Sequence, residues 1–279
     1  MNGLLVVNKP KNYTSRDVIN KLNRIFSYKS IGHTGTLDPL ATGVLVCLFG
    51  KYTKLTEDIT SLSKEYIAEI KLGIKTDTDD ITGTCVKVDK KLPSYPEVIK
   101  AFNTFPRTYM QTVPIYSAVK VNGKKLYEYA RANMEVELPK REVHIYSLEL
   151  IDYKDDIITF KTQVSKGTYI RSLIIDILNT LNVLGTMNNL TRTQQGGFTL
   201  DKSYTLEDIK NNNYVMQNIK DFLPYPVISL EEDLYRKVKN GAKIPNAFNI
   251  KDKVIFTFNN EDIAIYENIN GTLKSYLML

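Results

Sequence analysis

YIAEIKL, residues 66–72, alternates without a break, with Tyr66, Ala68, Ile70 and Leu72 sharing one side. Side chains of a strand point to opposite faces in turn, so this period of two marks a strand covered on one face only. IITFKTQV (157–164) alternates in the same way. Two shorter apolar runs, LLVV (4–7) and VLVCL (44–48), read as buried strands. Helical spacing enters twice. Thr14 is placed to cap a helix with Asp17 three residues on, and Val18, Ile19, Leu22, Ile25 and Phe26 follow at helical intervals. After Lys166-Gly167-Thr168, the residues Ile170, Leu173, Ile174, Ile177, Leu178 and Leu181 make a second apolar stripe. A weaker helical signal covers 53–62. No regular strand–helix–strand repeat emerges, so the pattern predicts an α+β fold with a largely antiparallel mixed sheet flanked by helices. Pro224-Tyr225-Pro226 punctuates the chain. Beyond it, VIFTF (254–258), DIAIYE (262–267) and LKSYLML (273–279) are short strands separated by Asn259-Asn260 and Asn270-Gly271. The expected domains are therefore 1–223 and a small β module at 224–279. Residues 210–213, KNNN, read as a loop.

At 279 residues, with 43% hydrophobic and 24% charged residues, the chain can bury a sizeable core. Two cysteines, Cys47 and Cys85, make no disulfide framework, which suits a reducing cytoplasm. Residues 1–10 lack the basic start and long apolar run of a leader, and no stretch approaches a membrane span. A net charge of +6 suits a polyanionic partner without requiring one. His33 and His144 are the only histidines and neither lies near a cysteine, so no metal site is expected. The acidic run 77–80 lacks the ligand spacing of a calcium loop and reads as a polar turn. No Walker or Rossmann pattern occurs, so no nucleotide cofactor is expected.

Three places carry chemistry. GHTGTLDPLATG (32–43) sets one acid, Asp38, in a glycine-rich loop between apolar runs. Taken alone, this favours an ordinary Asp-Pro turn. SKGTYIRSL (165–173) puts Arg171 at a helix start, where the dipole disfavours a cation and a carboxylate such as Asp38 would compensate. Tyr66 lies on the inward side of its strand, as core or as the floor of a pocket. The stretch 107–146 interleaves Lys120, Lys124, Lys125, Arg131, Lys140 and Arg141 with Tyr109, Tyr116, Tyr127 and Tyr129. Basic groups hold phosphates and rings stack on bases, although four glutamates dilute the pattern.

Five segments in order, GLLVVNKP (3–10), GHTGTLDPLATG (32–43), KEYIAEIKLGIKTDTDD (64–80), YSAVKVNGKKLYEYAR (116–131) and SKGTYIRSL (165–173), resemble the bacterial tRNA pseudouridine-55 synthases, the TruB family. Val164 and Thr191 depart from the family pattern. The resemblance implies a pseudouridine synthase fold with an RNA-contacting insertion at about 107–146, and a PUA-like RNA-binding module at 224–279. It implies isomerisation of uridine-55 in the T-arm loop of tRNA after base flipping, by a cytoplasmic monomer without metal or other cofactor. By the same carry-over Asp38 is the nucleophile, Tyr66 stacks on the uracil, and Arg171 favours the Asp38 anion. Tyr169 and Leu190 line the pocket, His33 contacts RNA where the base has left, and Lys9, Lys124 and Lys125 complete the substrate-binding set. Two rivals are weighed. A non-catalytic RNA-binding copy of the scaffold has little reason to keep Asp38, Tyr66 and Arg171 together. A hydrolase with paired carboxylates needs a second acid that the loop lacks.

Overall fold

The computed structural model describes residues 1–279. They form two compact units: Met1–Pro39, Gly43–Thr60 and Gln195–Leu279 in the first, Leu40–Thr42 and Ser61–Gln194 in the second.

In the first unit, the strand Gly3–Lys9 and the strand Ile31–Thr34 both run antiparallel to Thr42–Phe49. The helix Ser15–Phe26 closes over them, burying Val18, Ile19 and Leu22 against Leu5, Val7, Leu45 and Cys47. Its start is the capping box read from the sequence: the Asp17 N–H donates to Thr14 Oγ1 (3.0 Å) and the Thr14 N–H to Asp17 Oδ2 (2.9 Å). Phe26 meets Phe49 edge-on at 5.1 Å. The weak helical signal at 53–62 resolves into a 3₁₀ stretch, Gly50–Leu55, followed by the short α-helix Thr56–Ser61.

Residues after Pro226 add a five-stranded sheet in the order Val227–Ser229, Lys253–Phe258, Glu261–Ile269, Thr272–Met278, Ile244–Pro245. Only the first pairing is parallel. Asn259, Asn260, Asn270 and Gly271 all take left-handed backbone (φ 50°, 68°, 52° and 81°). That is the two-residue hairpin turn whose twist matches the strands, and asparagine and glycine tolerate it best. Val238, Val254, Phe256, Ala264, Tyr266 and Leu273 belong to this sheet's own core.

The second unit is built on the alternating strands. Lys64–Leu72 pairs antiparallel with Ile157–Val164, with Tyr66 opposite Thr162, Ala68 opposite Phe160 and Ile70 opposite Ile158. Lys140–Lys154 and then Thr108–Thr112 extend the sheet on one side, and Gly185–Gln195 lies on the other side of Lys64–Leu72. Buried residues recur at every second position of both alternating strands. The helices Tyr95–Thr104 and Ile170–Leu181 supply the facing apolar residues, with Phe102 edge-on to Phe160 at 5.6 Å. The acidic run closes a small hairpin, Ile74–Thr76 with Cys85–Val88, where the Thr84 N–H donates to Asp77 and the Thr82 N–H to Asp80. The whole is α+β, largely antiparallel, with a small β module at its C-terminal end. No helix is long and apolar enough to cross a membrane.

Candidate active site

The glycine-rich loop holds its acid by the backbone on either side. Before Asp38, the Leu37 N–H donates to Ser15 Oγ (2.9 Å) and Ser15 Oγ donates to the Leu37 carbonyl (3.3 Å). After it, the Pro39 carbonyl accepts from the Asn12 N–H (2.8 Å) and from Lys9 Nζ (3.3 Å). Gly35, with φ 78°, turns the chain into this loop where a Cβ would be strained. Leu37 and Leu40 are buried while Asp38 between them stays partly exposed. A turn that only satisfied itself would not need two anchors from the helix start and the first strand. The backbone on both sides of Asp38 is thus fixed from outside the loop.

Lys9 is fully buried, and its ammonium also donates to the carbonyls of Pro10 (3.0 Å) and Tyr13. It braces the loop from beneath, and its reach is taken up by main-chain oxygens. His33 sits in the strand Ile31–Thr34 opposite Cys47, half-buried.

In the second unit, Tyr66 points inward and is 6% exposed, as the strand period requires. Leu190 is buried on Gly185–Gln195. Beside it, Thr191 shares a hydrogen bond with the Thr42 hydroxyl (2.9 Å), so this departure from the family pattern has a local partner. Tyr169 is the residue before the helix Ile170–Leu181, and the Arg141 guanidinium lies 5.8 Å from the centre of its ring. Arg171, two residues on, is buried despite its charge. Its Nη2 donates to the Tyr116 carbonyl (2.9 Å) and its Nη1 to the Thr78 carbonyl (3.4 Å). Burial pushes the neighbouring Asp79 carboxyl above its ordinary value, and the Arg171 cation acts against that push. The acidic turn therefore helps hold a cation that the helix dipole disfavours. Lys64, two residues before Tyr66, is also buried. Desolvation, with Arg192 and Lys166 nearby, pulls its ammonium down to about 7.

The basic stretch is less free than its composition suggests. Lys124 and Lys125 lie on a hairpin, Lys120–Val121 with Lys124–Lys125, turned by Asn122-Gly123 in left-handed backbone. Lys124 Nζ lies 6.0 Å from the centre of the Tyr129 ring and Lys125 Nζ 5.5 Å from that of Tyr127, with Arg131 on Tyr127 as well. Tyr129 is buried and donates to the Val121 carbonyl (2.9 Å), and Tyr109 donates to Asp176 (2.9 Å). These two rings are structural, which corrects the reading of all four as stacking surfaces. Lys124 itself is exposed.

Sequence reading missed Ser15, the bracing role of Lys9, the depressed Lys64 and a buried glutamine, Gln111. Ser15 and Leu37 are 22 residues apart and Gln111 and Tyr169 are 58 apart. No local periodicity marks such pairs, because it is the fold that sets them side by side.

A sequence model of the TruB family pseudouridylate synthase N-terminal domain matches residues 23–170. The tRNA pseudouridine synthase B of Caldanaerobacter subterraneus is 40% identical, over 95% of this chain and 94% of its own length. That of Clostridium kluyveri is 38% identical, over 98% of each. Among solved structures, a chain in the crystal structure of a Cbf5–Nop10–Gar1 complex superposes with a TM-score of 0.72 at 23% identity, covering 96% of this chain and 78% of that one. A chain in a structure of an H/ACA RNP bound to a substrate RNA containing 2′-deoxyuridine gives 0.69 at 21%, covering 99% and 83%. Both share the fold described above.

Proposed function

The chain belongs to the TruB family of pseudouridylate synthases, and from that we infer that it is a tRNA pseudouridine synthase, isomerising uridine-55 in the T-arm loop with Asp38 as its nucleophile. The reaction breaks the bond from the uracil nitrogen to the ribose carbon, turns the base, and joins a base carbon to the same ribose carbon. The proton lost from that base carbon is matched by one gained at the freed nitrogen, so the conversion needs no oxidant or reductant. Asp38 adds covalently to the base or to the ribose carbon, which divides one hard step into two. By the family pattern Arg171 supplies the cation of the site. Tyr66 stacks on the uracil, Tyr169 and Leu190 close the pocket around it, and His33 contacts the RNA where the base has left. Flipping a loop base costs a few kcal/mol, less than taking one from a regular duplex. Phosphate contacts from the 107–146 insertion, Lys124 and Lys125 among them, offset that cost. Lys9 serves the same site from below by bracing the loop. Residues 224–279 act as a PUA-like accessory that grips the tRNA away from the reacting base, and 1–223 as the catalytic domain. The enzyme works in the cytoplasm as a monomer, without metal or nucleotide cofactor.

What carries this reading is the double anchoring of Leu37 and Pro39, which holds out the acid of the family's signature loop. The test is to incubate the purified protein with an unmodified tRNA transcript and map pseudouridine along it. A single modified position in the T-arm loop is the expected result. No modification, or modification elsewhere only, refutes the assignment.

A further inference from the structure

The strand Thr108–Thr112 and the loop after it hold the start of the helix Ile170–Leu181 at several points. Gln111 takes the Tyr169 peptide from both sides: its Oε1 accepts the Tyr169 N–H (2.8 Å) and its Nε2 donates to the Tyr169 carbonyl (3.2 Å). The second Nε2 proton goes to the Tyr109 hydroxyl oxygen (2.9 Å), and that hydroxyl donates onward to Asp176 (2.9 Å). Only one orientation of the amide serves an N–H and a carbonyl at once, so the direction of the chain is fixed. Gln111 is 1% exposed, so water does not compete for it. Around it, Ser172 Oγ donates to the Thr112 carbonyl (2.8 Å) and Arg171 to the Tyr116 carbonyl. Tyr169 supplies no side-chain cap to its own helix. The place where this helix begins is set from a strand 58 residues earlier.

We propose that Gln111 is a positioning residue of the reaction: it fixes the Tyr169 peptide, and so aims the Tyr169 ring and the Arg171 guanidinium, while Tyr109 and Asp176 fix the amide of Gln111. This rests on the reading of Tyr169 and Arg171 as pocket residues given above. A neutral amide suits the task, since it grips a peptide at both ends without adding charge beside Arg171. An apolar residue of the same length would fill the space and leave the Tyr169 N–H and carbonyl to a looser turn.

Gln111→Met in the full chain removes the amide and keeps the length. Three quantities decide: amide exchange of Tyr169 in the free protein, the single-turnover rate of pseudouridine formation at saturating unmodified tRNA, and the tRNA dissociation constant. Exchange at Tyr169 is expected to quicken at least tenfold and the rate to fall at least tenfold, with affinity changed less than threefold. A residue that merely stabilised the fold would lower the melting temperature and leave the rate unchanged well below it. Should Gln111→Met fail to fold, Tyr109→Phe, which removes the hydroxyl joining the Gln111 amide to Asp176 and keeps the amide, is expected to lower the rate about threefold with the same affinity. Unchanged exchange at Tyr169, or faster exchange with an unchanged rate, overturns the positioning role. Wild-type protein that forms no pseudouridine overturns the proposed function first, whereas active wild type beside an unaffected variant overturns the role of Gln111 alone.

Discussion

Asp38 carries no mark of its own beyond the loop that holds it. The serine, the asparagine N–H and the lysine anchor the backbone of its neighbours on either side. Asp38→Asn keeps the shape and removes the nucleophile. Pseudouridine formation is expected to vanish while tRNA affinity changes less than about tenfold, roughly 1.4 kcal/mol. Substantial turnover by the purified variant would remove Asp38 from the chemistry. Lys64 offers a test that needs no RNA. Burial first, then Arg192 and Lys166, bring its ammonium to about 7, against an unfolded value near 10.5. Between those values the unfolded chain binds the proton and the folded one does not, so stability rises as pH rises above 7. Urea midpoints at pH 7 and pH 9 are expected to differ in the wild type, the higher at pH 9. In Lys64→Met that difference is expected to shrink. An equal difference in both proteins would assign the pH dependence to other groups.

At the scale of elements, most of the fold was legible and the reason is periodicity. The capping box at Thr14 and Asp17, the stripe from Val18 to Phe26 and the strict alternation of 66–72 each encode their element within a few residues. The asparagine turns were legible because few residues accept left-handed backbone. The basic stretch misled for a related reason. Composition shows that lysines and tyrosines are close in sequence, but not that Tyr127 and Tyr129 carry the lysines themselves. The hairpin thus presents cations set on aromatic supports, with Lys124 exposed. Its expected role is to meet phosphates, and counterion release gives that role a signature. Each lost phosphate contact on a single strand flattens the log–log salt dependence of binding by about 0.7. Charge reversal at both positions, Lys124→Glu with Lys125→Glu, is expected to weaken tRNA binding and flatten the slope by about one to two contacts' worth. Weaker binding with the wild-type slope would place the phosphate contacts elsewhere.

At the scale of the molecule, the boundary at Pro224-Tyr225-Pro226 suggested a small β module set apart from the first 223 residues. Residues 224–279 do carry their own core, but they also share one carboxylate with the helix Thr56–Ser61. Asp58 accepts from the hydroxyls of Tyr225 (2.6 Å) and Tyr276 (2.7 Å) and pairs with the Lys253 ammonium, which lies 4.2 Å from the centre of the Tyr276 ring. Burial pushes the Asp58 carboxyl upward, yet the bonds from Lys253, Tyr225 and Tyr276 outweigh it and hold the group below its ordinary value. A carboxyl lowered in the folded state stabilises above its unfolded value and loses that contribution as pH falls through the folded one. Sequence could not show this, since the partners lie 167 to 218 residues from Asp58. The side chains of Asp58 and Lys253 are 7% and 15% exposed, so removing one charge strands the other in a poorly hydrated place. In the full chain Asp58→Asn is expected to cost about 3 kcal/mol, as breaking a buried pair does. In a chain ending at residue 223 Tyr225, Lys253 and Tyr276 are gone, and Asp58→Asn is expected to cost much less. The two changes are therefore non-additive, and a cycle of four unfolding curves measures the coupling directly. The same four proteins, assayed at saturating tRNA, show whether the tie matters beyond stability. The truncated chain is expected to melt earlier and bind tRNA more weakly while keeping single-turnover chemistry. If Asp58→Asn costs as much in the truncated chain as in the full one, Asp58 is not what fastens the module. If the truncated chain stays folded but loses chemistry even at saturation, the module is part of the active enzyme rather than an accessory to it.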